Sequence, residues 1–338
     1  PVRHLRSWYD EGIRVLKANK DGGLAYFRIE SSHSEEILDN LSSGVDYERV
    51  KSVMEMYCRG LAGAEIKLAS TQELTEKNIG WVSNESPSTE GSTVYVPMLV
   101  DRYPSKAQNF SWFKVVSTHQ VGHLEFGSFL FDFDEPSKMF KNLRHDVETD
   151  RVANQKYVDN NQIPEVDSLE HGWLTDMQRF FNLFEDRKLA LDIFTVLEDA
   201  RLDSRIKYEY PGIRESYNKV QVDTCADRPD IHSLPAREAL VEFMVRISLQ
   251  QYKGLPAPEQ YVDQARQIAG ITTKIIIPSA TVEDSAEATL RVYAIVSQIA
   301  NEHVPPEDWH DLDIEEEDEE YQDPENMEQL LQQISAGT

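Results

Sequence analysis

Apolar residues recur at helical spacing along most of this chain and alternate as in a strand only in two short places. Residues 5–19 and 34–62 read as helices. In the second, Ile37, Leu38, Leu41, Val50, Val53, Met54, Tyr57 and Leu61 recur near steps of three and four, with a break at Ser42-Ser43-Gly44. Gly60 and Gly63 sit where it should stop. Alternation over Ala64-Glu65-Ile66-Lys67-Leu68, and over Thr93-Val94-Tyr95-Val96 before Pro97, predicts two strands. The polar stretch from Thr71 to Gly91 between them reads as a surface loop. A helix over 107–126 comes next and closes near Gly127. Residues 128–186 are aromatic and acidic with few periods; there Asp146, Glu148 and Asp150 alternate with Val147, Thr149 and Arg151, which reads as a solvated face. The stripe Leu189, Ala190, Ile193, Phe194, Val196, Leu197, Ala200 predicts a helix over 187–206, ended by Tyr210-Pro211-Gly212. Further helices are expected over 235–252 and 283–301, the second with one core-facing stripe of Ala288, Val292, Ile295, Val296 and Ile299. The pattern predicts a mainly α fold with a small β-sheet, of the α+β class.

One folded region over 1–304 is expected, made of a helical stretch over residues 1–63, a core over 64–215 and carboxyl-terminal helices over 216–304. Val304-Pro305-Pro306 would close it. The charge block from Glu307 to Glu320 belongs to an acidic, self-repelling linker over 305–338 that is expected to be disordered, with a short helix over 325–334.

Composition narrows the function. The 338 residues carry 34 basic and 60 acidic side chains, a net charge of −26. Such a surface repels a polyanion, which argues against nucleic-acid binding and against an anionic membrane face. No apolar run is long enough to span a bilayer, so no membrane insertion is expected. The start has no signal-peptide core, and without a methionine it suggests a trimmed or internal fragment. Two cysteines, Cys58 and Cys225, are too few for a disulfide scaffold, so a cytoplasmic location is expected.

The chemistry concentrates in Ser117-Thr118-His119-Gln120-Val121-Gly122-His123-Leu124-Glu125-Phe126-Gly127. On a helix His119 and His123 lie one turn apart on one face, the spacing with which zinc helices present two imidazoles. A hydrolytic site keeps a glutamate after the first histidine to take a proton from metal-bound water. Gln120 stands there instead, and an amide cannot accept that proton. Downstream, Glu198 falls inside the apolar stripe of its helix and should point to the core, where a carboxylate needs a cation, a metal or a donor. It can complete a metal set with His119 and His123, or pair with Arg201 three residues on. His145 and His171 are near enough in sequence to be considered, but nothing places them. A short strand followed by this helix is also the order of the zincin architecture, in which the metal helix lies beneath an edge strand.

Four stretches together resemble one family: Ala25-Tyr26-Phe27-Arg28-Ile29-Glu30-Ser31; Tyr57-Cys58-Arg59-Gly60-Leu61-Ala62-Gly63; His119-Gln120-Val121-Gly122-His123-Leu124-Glu125-Phe126-Gly127; and Leu197-Glu198-Asp199-Ala200-Arg201 leading to Tyr210-Pro211-Gly212. The pattern is similar to the amino-terminal region of the nitric oxide reductase and Rubisco activation proteins of the NorD/CbbO type. The string around His119 is its specific portion, because it keeps the glutamine. The resemblance implies an adaptor that partners a MoxR-type AAA+ ATPase and acts on a client enzyme, with a von Willebrand factor A domain beyond the acidic stretch. It also implies that the chain is the amino-terminal portion of a longer adaptor. The competing expectation is a gluzincin-type zinc hydrolase with His119, His123 and Glu198 as ligands and Gln120 in place of its base. A metal site without turnover stands between the two.

Overall fold

The computed structural model describes residues 5–63, 65–76, 88–159 and 175–314. Contacts divide the chain into two compact units, Pro1–Val121 and Gly122–Thr338. The division falls inside one helix rather than at the expected boundaries.

The first unit opens with α1 (Leu5–Ala18), α2 (Lys20–Phe27) and α3 (Ser32–Leu41). Asn19 separates the first two and caps α2, its side chain accepting from the Gly22 amide at 3.1 Å. Trp8 stacks on Tyr26 and meets Phe27 edge-on, with ring centroids 5.6 and 5.3 Å apart. The break at Ser42-Ser43-Gly44 is a full interruption. The chain forms β1 (Val45–Asp46), and Asp46 then caps α4 (Tyr47–Ala62) by accepting from the Glu48 amide.

The expected strand shifts to β2 (Lys67–Ser70). The stretch read as a loop contains α5 (Thr71–Glu76) and β3 (Ser88–Glu90), while residues 77–87 lie outside the described residues. β4 (Thr93–Val96) is the centre of a three-stranded sheet, parallel to β2 with Leu68 opposite Val94, and antiparallel to β3 with Thr89 opposite Val94. β5 (Leu99–Val100) pairs with β1. α6 (Lys106–Glu125) follows, its first turn fixed by Asn109. That buried amide accepts from the backbone of Arg102 and Tyr103 and donates to the carbonyls of Ser43 and Tyr103.

The second unit holds the larger core. Its helices are α7 (Arg144–Asp159), α8 (Asp176–Phe181), α9 (Arg187–Glu209), α10 (Arg214–Ala226), α11 (Ala236–Ser248), α12 (Val262–Ile275) and α13 (Val282–Ser297). α9, α11, α12 and α13 supply most of the apolar centre, among them Ile193, Leu197, Phe243, Ile247, Ile268, Ile271, Leu290 and Ile295. The aromatic middle of the sequence packs here too, with Phe180, Phe184 and Tyr293 ring to ring. The segment read as a solvated face is α7. Its Val147 is buried and its Glu148 takes two hydrogen bonds from Arg179, each 2.6 Å.

Two sequence expectations change at the carboxyl end. α13 is buried on every side over Val282–Val296, not along one stripe. The fold also does not close at Pro306. β7 (Trp309–Leu312) pairs antiparallel with β6 (Leu255–Pro258), Leu312 opposite Leu255, both buried. Trp309, Leu312 and Ile314 break the charge run with apolar groups, and that local content outweighs the repulsion. Residues 315–338, with the expected short helix, lie outside the described residues. Among the described residues no helix is long and apolar enough to cross a membrane.

Candidate metal centre

The site is built on the last turns of α6 and the middle of α9. α6 ends because Gly127 adopts φ +78°, a left-handed conformation open to glycine without a Cβ clash. The reversal brings Ser128 back beneath the helix end, where its hydroxyl lies 3.1 Å from His123 Nδ1. Gly122 lets α9 come close, since a Cβ there would sit 2.8 Å from Ile206 Cδ1, and Ile206 is fully buried.

This approach sets Asp199 of α9 opposite His123. His123 Nε2 and Asp199 Oδ1 are 3.6 Å apart, with side chains 17% and 39% exposed. Ligand atoms of His119, His123 and Asp199 all lie within 4.8 Å of one another. Ligand atoms around one tetrahedral zinc are roughly 3.3–3.5 Å apart, so a small side-chain adjustment closes the set on an ion. Two imidazoles and one carboxylate suit a divalent transition metal of the zinc, cobalt or nickel kind better than calcium or magnesium. The donor set fits such an ion without selecting one.

Glu198 is placed differently from the sequence expectation for a ligand. It points to the core as expected, its side chain only 3% exposed, but there it meets Arg201. Arg201 Nη2 donates to Oε1 at 2.6 Å and Nε to Oε2 at 2.8 Å. The hydroxyls of Ser128 and Ser285 donate to the same two oxygens at 2.5 and 2.8 Å. Burial works to raise its pKa, but Arg201 and the two serines outweigh burial and hold the carboxyl below its ordinary value. The cluster of candidate ligand atoms contains Asp199 and not Glu198. The correction has a simple cause. A ligand must stand beside the partly exposed His123 at the edge of the core, and the helix turns Asp199, not its neighbour, to that edge.

Gln120 is tied to the sheet. Thr89 Oγ1, on β3, lies 2.9 Å from the Gln120 carbonyl and 2.8 Å from its side-chain Oε1, and donates to this pair. Glu125 is engaged elsewhere, accepting from the Tyr210 hydroxyl, with its other oxygen buried and without a hydrogen-bond partner. Burial pushes the Glu125 carboxyl up. One turn beyond Asp199, Asp203 accepts from Tyr217 at 2.5 Å and from Gln221 at 2.7 Å. Sequence reasoning missed this buried group; its signal is a tyrosine and a glutamine four apart on α10. His145 stays away from the cluster, 3.6 Å from Asp134 and edge-on to Phe133, and His171 lies outside the described residues. No known protein-family model, curated protein or solved structure matches the chain.

Proposed function

We propose that this chain is a metal-binding, non-hydrolytic adaptor domain: a zincin-like frame that holds a divalent transition metal, zinc foremost, and cuts nothing. The observation that carries the reading is the pairing of the His119, His123 and Asp199 cluster with an amide at position 120, where a hydrolase keeps its base. Loss of a positioned general base costs on the order of 10²–10⁴ in rate. The hydrogen bonds from Thr89 support the same view, because they employ Gln120 in seating the helix against an edge strand. His119, His123 and Asp199 would hold the ion; bound there, it supplies a fixed positive centre.

The adaptor role is supported by the resemblance to the NorD/CbbO type, which names a MoxR-type AAA+ ATPase as partner and an enzyme as client. A strong negative charge suits docking to a basic surface. Elemental analysis of untagged protein tests the metal, and ATP turnover of the partner ring with and without this chain tests the adaptor. The second reading, a gluzincin-type hydrolase, draws on the ligand count: three protein ligands leave a fourth position open, as catalytic zinc sites do. A peptidase assay on metal-loaded protein beside Gln120→Glu decides between the two. Cleavage by the wild type would falsify the non-hydrolytic reading.

A further inference from the structure

His123 is held from the side away from Asp199. Its Nδ1 lies 3.1 Å from Ser128 Oγ, and Ser128 Oγ lies 2.5 Å from Glu198 Oε1. A hydroxyl has one hydrogen, and a carboxylate gripped by both arms of Arg201 has none to give. The Ser128 hydrogen therefore goes to Glu198, and the Ser128 oxygen is left to accept from the ring. Nδ1 must then carry the imidazole hydrogen. In the neutral ring this makes Nε2 the lone-pair nitrogen, facing Asp199 Oδ1 across 3.6 Å. Two electron-rich atoms at that separation call for positive charge between them. The gap is long for an N–H···O bond and near the spacing of two ligands on one ion.

The geometry points to Ser128 and Glu198 as positioning residues: they fix His123 in its Nδ1–H tautomer, so that Nε2 is the atom offered to a divalent transition metal beside Asp199. Ser285 and Arg201 complete the device by immobilising Glu198 in the core. This explains why the core-facing acid serves the site without being a ligand. Metal-ligating histidines commonly have their second nitrogen held in this way, by a carboxylate or another acceptor. The inference rests on the metal-binding reading for its purpose, while the tautomer is a property of the ion-free protein.

Long-range ¹H–¹⁵N NMR of ion-free protein at about pH 9, well above the ordinary imidazole range, reads the tautomer directly. Nδ1–H is expected in the wild type, with a shift toward Nε2–H in Ser128→Ala. A wild-type His123 protonated at Nε2 overturns the proposal, and that measurement needs no variant to fold. Titration with Co²⁺ or Zn²⁺ should show affinity about 10–100-fold weaker in Ser128→Ala, with Ser128→Thr recovering most of it. Equal affinities in wild type and Ser128→Ala overturn the positioning role and leave metal binding standing. A wild type that takes up neither ion overturns the metal reading, and the role assigned to the relay with it.

Discussion

Adjacent carboxylates on α9 are turned about 100° apart by the helix, so Glu198 enters the core beside Arg201 while Asp199 stays at its edge near His123. Their substitutions should therefore fail in different ways. Asp199→Asn is expected to weaken metal uptake with little change in the urea midpoint, because its side chain is partly solvated. Glu198→Gln strands a buried guanidinium and should cost about 3–5 kcal/mol in urea denaturation. The opposite result, in which Glu198→Gln costs no stability yet abolishes uptake, would restore Glu198 as the ligand. The two thiols offer a second contrast. Cys58 is fully buried, and burial, helped by Glu55, pushes its thiol up to about 12. Cys225 is only partly buried. A chromogenic disulfide reagent at neutral pH should modify Cys225 first and reach Cys58 only in denaturant. Rapid labelling of Cys58 in the native protein would contradict this placement.

At the scale of elements, α13 shows how an aperiodic stretch becomes ordered. Its Asp284 accepts from the Ser137 hydroxyl and from the amides of Lys138 and Met139, at 2.6 to 2.8 Å. Glu287 accepts from the amides of Leu143 and Arg144, and Arg291 donates to the Lys141 carbonyl. Buried acids on one helix thus satisfy backbone donors of an irregular segment that no strand or helix pairs. β7 shows the converse, a short apolar pattern inside an acidic run that gains a partner strand. Leu312 is buried opposite Leu255, so Leu312→Ala should cost about 2–5 kcal/mol, read from the denaturation midpoint. A neutral result would mean that the β6–β7 pair adds nothing to the second unit.

Across the whole molecule the dominant quantity is the net charge of −26. Self-repulsion on this scale opposes compactness and is screened by salt, whose Debye length falls from about 10 Å at 0.1 M to about 3 Å at 1 M. The thermal midpoint should rise as sodium chloride is raised over that range. A midpoint that falls would show that specific ion pairs, such as Arg179 with Glu148, outweigh the repulsion. The same charge gives the proposed adaptor role a physical test, since association with a basic partner surface should weaken as salt increases.

Periodicity made the long helices legible from the residues, because the spacing of apolar groups within a helix is a local property. The same holds for the one-turn separation of His119 and His123 and for the amide chemistry of Gln120. The core-facing direction of Glu198 followed from its apolar neighbours, and its pairing with Arg201 was one of the alternatives those residues left open. α7 and α10 escaped notice because their faces carry mixed polar and apolar groups that acquire meaning only against a neighbour, whereas the stripe of Ala265, Ile268, Ala269, Thr272 and Ile275 on α12 is a local signal that spacing alone carries. Which acid meets the histidines, the return of Ser128 beneath His123, and the bonds from Thr89 to Gln120 were decided by tertiary structure alone. Each depends on a chain reversal or on the rotation of one helix against distant residues, and no spacing along the chain encodes such a rotation.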